Sequence, residues 1–239
     1  MIKQIDKQPE RPNKNLDFLV FFLGSFLTFV TVNWAVPFLS DRQGIMQLGA
    51  WMILSPFIVF LPIICVGLYI LKTEQNTIGL LERIRFKKIS KSDWKWTLLG
   101  LLAMTIGSAI TFFLCNTLNL DPNPPFARNV EPWTNGHHWM FLLWAIYWPI
   151  NILGEGFVWR GVILPRLEKE FKNKSWIISS VLWGIFHLSF GVGNLIVLLP
   201  TLIFVPFITY KTGNTWTGIL LHAILSGPGF IILALGLMS

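Results

Sequence analysis

The sequence predicts an all-α fold: a polytopic integral membrane helix bundle of about seven transmembrane helices. Three observations predict it. Of 239 residues, 53% are hydrophobic and only 13% are charged, against about 25% charge in an ordinary soluble domain. The apolar residues gather into runs, most of them close to the roughly 20 residues that a membrane-crossing helix needs. The basic residues cluster between alternate runs, the pattern of the positive-inside rule. The same composition excludes a disordered chain, which needs low hydrophobicity and high charge. It also leaves too little polar surface to cover a soluble globule.

Seven runs carry the reading: 17–39, 46–71, 97–117, 139–159, 176–190, 194–209 and 216–238. The fifth and sixth are short and are joined by the uncharged turn 189–194. The first is too long for a cleavable signal peptide, and no small-residue cleavage site follows it. Residues 1–16 read as a cytoplasmic N-terminal segment, and 17–239 as a single membrane-embedded domain with a motif-bearing core over 152–226. Lys3, Lys7, Arg11 and Lys14 precede the first run. Lys72, Arg83, Arg85, Lys87, Lys88, Lys91 and Lys95 follow the second. Arg160, Arg166, Lys169, Lys172 and Lys174 follow the fourth, and Lys211 follows the sixth. Only Arg42 and Arg128 fall on the other side, so 17 of the 19 basic residues share one face of the membrane. A wrong span count would scramble that alternation. It predicts a cytoplasmic N-terminus and an outside C-terminus. The net charge of +7 is then a topology signal and an attraction to anionic membrane lipid, with no support for a nucleic-acid partner.

The connecting segments read as follows. Loop 72–96 is a solvated, lipid-facing basic linker. Loop 118–138, with Pro122, Pro124, Pro125 and Pro132, is irregular and extended. Segment 161–175, with Leu164, Leu167 and Phe171 among charges, is a short amphipathic interfacial helix. Pro149 and the run 227–229 kink their helices. Trp94, Trp96, Trp133, Trp139, Trp176 and Trp216 lie near run ends, where interfacial belts form. Cys65 and Cys115 both sit inside apolar runs, so neither a disulfide framework nor a Cys-rich metal site is available.

Ionisable groups inside a membrane cost about 2.5–3.5 kcal/mol on insertion scales and point to function. Of the 12 acidic residues, only Glu155 lies inside a run; Asp17 is at the start of the first. His137 and His138 flank the outer mouth of the fourth run and read as exposed, whereas His187 and His222 lie inside the fifth and seventh. At about 1.5 Å per residue, Glu155 is about 8 Å, His222 about 9 Å and His187 about 16 Å from the cytoplasmic ends of their helices. All three therefore fit the cytoplasmic half of one bundle. A carboxylate there can take a proton from water as a general base. One imidazole can share that work while a second donates to a developing oxyanion. The set suits hydrolysis of a carbonyl compound. The same three side chains also suit a His₂Glu zinc site with an open position, and the residues alone do not choose between the two.

Three segments around these residues carry a resemblance: Gly154–Leu167 (GEGFVWRGVILPRL), Leu182–Phe190 (LWGIFHLSF) and Thr212–Ser226 (TGNTWTGILLHAILS). In order and spacing they resemble the three motifs of the CPBP, or Abi, family: CAAX prenyl endopeptidases and bacteriocin-processing or immunity proteins. That pattern is EExxxR, then FxxxH or WxxxH, then HxxxN or HxxxD. The resemblance implies that Glu155 activates water, that His187 shares this work and that His222 stabilises the oxyanion. Trp183 takes the aromatic position and Arg160 the arginine of the first motif. It favours a metal-free mechanism; a zinc site, if present, would use Glu155, His187 and His222. Two positions depart from the pattern. The second glutamate is Gly156, and the final Asn or Asp is Ser226, which still offers a hydroxyl. On α-helical spacing the missing glutamate would have faced Arg160 while Glu155 points about 140° away, which leaves Arg160 at the membrane edge, free to snorkel to water.

The resulting expectation is an intramembrane endopeptidase that cuts near the end of a peptide or protein substrate, with Glu155 and His187 activating water and His222, with Ser226, holding the oxyanion. Prenylated CAAX proteins are the substrate class of the eukaryotic branch; the small chain fits a processing or immunity member of the bacterial plasma membrane better. A non-catalytic immunity or scaffold protein is the first alternative, and a small proton-coupled transporter the second.

Overall fold

The computed structural model describes residues 14–74 and 79–236. Lys3, Lys7, Arg11, loop residues 75–78 and the end of the last expected span lie outside the described residues. The described residues form helices and turns, with no strand among them. The framing helices are α1 (Asn15–Gln43), α2 (Gln47–Thr73), α3 (Lys91–Thr117), α4 (Trp139–Glu155), α5 (Leu164–Phe171), α6 (Ser175–Phe186), α7 (Val192–Thr212) and α8 (Thr215–Ala234).

Six helical stretches are long and apolar enough to cross a membrane, against the seven runs expected. The difference lies in Trp139–Phe186, where the fourth and fifth runs join in one 48-residue helical stretch. The charged α5 separates them in sequence and continues α4 through residues 156–163; the break comes after it. The chain leaves α5 through Lys172, at φ 51°, and α6 then has only 12 residues, short of a full crossing. This is an integral membrane helix bundle, with α7 packed between α3, α6 and α8 and α1 packed on α6. Helix α3 meets α7 closely because a Cβ on Gly107 would lie 2.8 Å from Pro200 Cγ. Large apolar side chains such as Phe22, Phe26, Phe57 and Phe113 face outward, where lipid would meet them.

Helix α3 begins at Lys91, six residues ahead of the apolar run, because a capping box starts it. Asp93 N–H donates to Ser90 Oγ (3.1 Å) and Ser90 N–H donates to the Asp93 carboxylate (2.9 Å). Asn214 Nδ2 donates to the same carboxylate at 3.2 Å, which ties this cap to the turn between α7 and α8.

Two loops differ from expectation. The α2–α3 connection is not a solvated linker throughout. Arg83 donates to Glu74 (2.8 Å) and to the Leu71 carbonyl (2.7 Å). Arg85 makes two bonds to Glu168, at 2.6 and 3.0 Å, and Arg166 pairs with both Asp17 and Glu74. A cavity of about 360 Å³ lies among these groups. Lys87, Lys88, Lys91 and Lys95 keep the expected exposure. Asp17, read as a run-end acid, is only 2% exposed. At the opposite end, residues 118–138 fold back into the bundle. Phe126 stacks on Trp51 (4.4 Å between centroids, 3° between planes). Trp133 is buried, not interfacial, and its backbone N–H donates to the Ala234 carbonyl at 2.8 Å.

Candidate active site

Glu155 is the last residue of α4, and its two oxygens hold different partners. Oε1 accepts from Asn151 Nδ2 at 3.0 Å, one turn earlier on α4. Oε2 accepts from the indole N–H of Trp183 at 2.7 Å. Glu155 and Trp183 are both buried, and hydrogen bonds to a carboxylate in such surroundings are the strong kind.

Trp183 of α6 joins the other groups. The Arg160 guanidinium lies over its ring, 3.6 Å from the centroid. The rings of His187 and His222 meet it edge-on, with centroids 5.4 and 5.3 Å away. Helices α4, α6 and α8 and the segment after α4 thus deliver Glu155, His187, His222 and Arg160 to one indole. His187 Nδ1 lies 2.8 Å from the Trp183 carbonyl. A carbonyl only accepts, so Nδ1 carries the proton and Nε2 of the neutral ring is an acceptor.

The expectation for Arg160 is corrected. It is 1% exposed and does not reach the membrane edge. The reason is local. Residues Gly156–Ile163 form a π-helical turn, whose i→i+5 repeat widens the helix. Positions 155 and 160 therefore meet, where α-helical spacing would separate them. Arg160 Nη1 lies 3.9 Å from Glu155 Oε2 and donates to the Glu155 carbonyl at 3.4 Å. Its Nη2 has no hydrogen-bond partner among the described residues, and neither does His222 Nδ1.

The two departures from the motif pattern have distinct surroundings. A Cβ on Gly156 would lie 2.3 Å from Ile219 Cγ1 of α8. The glycine is what allows α8 so close, and His222 is one turn beyond Ile219. Ser226 donates its hydroxyl to the His222 carbonyl at 2.6 Å, within its own helix. Asn151 was missed by the sequence reading, although its i, i+4 spacing from Glu155 was available. Also missed was Tyr147, buried in α4, whose hydroxyl accepts from Trp51 Nε1 at 2.9 Å. His137 is half-buried beside Glu131, at 3.2 Å, while His138 is exposed.

Among the described residues no three His, Cys, Asp or Glu side chains gather closely enough to hold a metal ion. The zinc set Glu155, His187 and His222 is thus not assembled in this arrangement, and both Glu155 oxygens already accept hydrogen bonds.

Residues 137–227 match the family model described as Rce1-like, type II CAAX prenyl endopeptidase. The match contains Glu155, Arg160, Trp183, His187, His222 and Ser226, and it bears out the resemblance seen in the three motifs. Neither a curated protein nor a solved structure matches the chain.

Proposed function

We propose that the chain is an intramembrane endopeptidase in which Glu155 activates water for attack on a peptide carbonyl. The observation that carries this reading is the gathering of Glu155, His187 and His222 around Trp183. Glu155 takes a proton from water, and the Nε2 acceptor of His187 helps to orient that water. The hydroxide adds to the carbonyl carbon. His222 donates to the resulting oxyanion, together with the otherwise unpartnered Nη2 of Arg160. The C–N bond then breaks and Glu155 returns its proton to the leaving amine. Trp183 and Asn151 hold the carboxylate in place, and Ser226 steadies the helical turn that carries His222.

The substrate is the end of a peptide or protein that reaches the site from the cytoplasm or from lipid. The N-terminus is cytoplasmic in this reading, and the membrane is a bacterial plasma membrane. The decisive comparison is between cells carrying the wild-type chain and cells carrying Glu155→Gln. An uncleaved peptide should accumulate in the variant; an unchanged peptide profile would sink the protease reading. The proposed chemistry needs only the chain's own side chains. Stoichiometric zinc in the purified protein, with cleavage lost on chelation, would overturn that part.

A non-catalytic immunity or scaffold role is the second reading. It is favoured by Gly156, which leaves Arg160 without the second carboxylate of the pattern. Full retention of the cellular phenotype in Glu155→Gln would support it.

A further inference from the structure

One face of α4 carries Trp144, Trp148, Asn151 and Glu155, at i, i+4, i+7 and i+11. On a 3.6-residue helix these positions form one stripe. Trp144 and Trp148 stack on each other, with centroids 5.6 Å apart. The indole N–H groups of both are buried without a hydrogen-bond partner among the described residues. Orphan donors at membrane depth are costly and call for an acceptor. Trp133 and Trp159 have orphan N–H groups as well, but Trp133 lies in the loop before α4 and the Trp159 ring packs against Phe21 and Phe186.

We propose that this stripe is a binding track for the substrate backbone, in which Trp144 and Trp148 donate to peptide carbonyls of an extended chain leading to Glu155. The inference rests on the peptidase reading and names the subsite that reading lacks. Spacing supports it. The two tryptophans are about 6 Å apart along the axis, and carbonyls on one edge of an extended strand repeat every ~6.6 Å. From Trp144 to Glu155 is about 16 Å, room for about five extended residues. Recognition through the backbone is sequence-tolerant.

Entry requires α8 to move off α4. Gly227 of α8 lies against Trp148, and a Cβ there would be 3.2 Å from the indole. The adjoining Pro228 supplies no N–H to the helix ladder, and a Cβ on Gly229 would meet nothing within 4 Å. Under this proposal the seam opens at this run, directly beside Trp148.

The test uses the full chain with ¹⁵N-labelled indoles, in the Glu155→Gln variant so that nothing is cut. The probe is an acetylated, amidated apolar pentapeptide; a dipeptide of the same composition is the control. Trp144→Phe and Trp148→Phe assign the two signals. Both signals should move downfield with the pentapeptide and not with the dipeptide, while those of Trp133 and Trp159 stay in place. In the cutting enzyme, Trp148→Phe should raise KM about fivefold at unchanged kcat, as loss of one neutral hydrogen bond predicts. Immobile Trp144 and Trp148 signals at saturating pentapeptide would overturn the track and leave the hydrolase standing. Moving signals in a protein that never cleaves would keep the track and remove the hydrolase.

Discussion

Two clusters of charge are at least partly buried in this bundle, and they are built differently. Around α5, Asp17, Glu74, Arg83, Arg85, Arg166 and Glu168 are matched: each has an opposite charge in direct contact. Around Trp183, one carboxylate faces one guanidinium at 3.9 Å, while Arg160 Nη2 and His222 Nδ1 find no hydrogen-bond partner among the described residues. A matched cluster holds helices together. An unmatched one is retained at a cost, and under the peptidase proposal the unused donors are where a substrate oxygen would bind. Burial of charge alone therefore does not distinguish the proposed catalytic site from the other cluster; incomplete pairing does.

Substitutions can sharpen or break that contrast. Glu155→Gln should have the largest effect, lowering cleavage by about 10²–10⁴-fold with little change in thermal unfolding. A comparable loss of folded protein would make Glu155 structural. Asp17→Ala does the reverse: it strips one partner from Arg166 and should cost about 3 kcal/mol of stability. Cleavage per folded molecule should be retained; its loss would erase the distinction between the clusters. Gly156→Glu forces a side chain into Ile219 and should destabilise by about 2 kcal/mol. Adding Ile219→Ala should restore most of it, and a failure to do so would mean that the 156–219 contact is not the cause. Trp183→Phe removes the N–H and replaces the buried indole by a smaller ring, so kcat should fall about tenfold and stability by about 1–3 kcal/mol. The smallest effect belongs to Ser226→Ala. Its hydroxyl serves its own helix, and cleavage should change by less than about threefold.

What the sequence revealed depended on scarcity. Charges are so few that Glu155 stood out within an apolar run, and His187 and His222 followed from their placement. The helical bundle was legible from run length and from the alternation of Lys and Arg. Arg160 was misplaced because hydropathy and α-helical spacing contain no sign of a π-helical turn, whose extra width appears only in the folded backbone. The pairing of Asp17 with Arg166 joins residues 149 positions apart, and no local pattern encodes it. The charges of α5 hid the fact that the helix begun at α4 runs on to Phe171: Arg166 and Glu168 are paired, and the break between the fourth and fifth runs comes only at Lys172.

The turn at Gly156–Ile163 also sets a phase between the two ends of one helix. Upstream, α4 aims Asn151 and Glu155 at Trp183; downstream, α5 aims Arg166 at Asp17. Removing a single residue from the turn would rotate α5 by about 100° against α4, so only one of the two addresses would be met. Substitutions of similar size are tolerable along this stretch, but its length is not free to change.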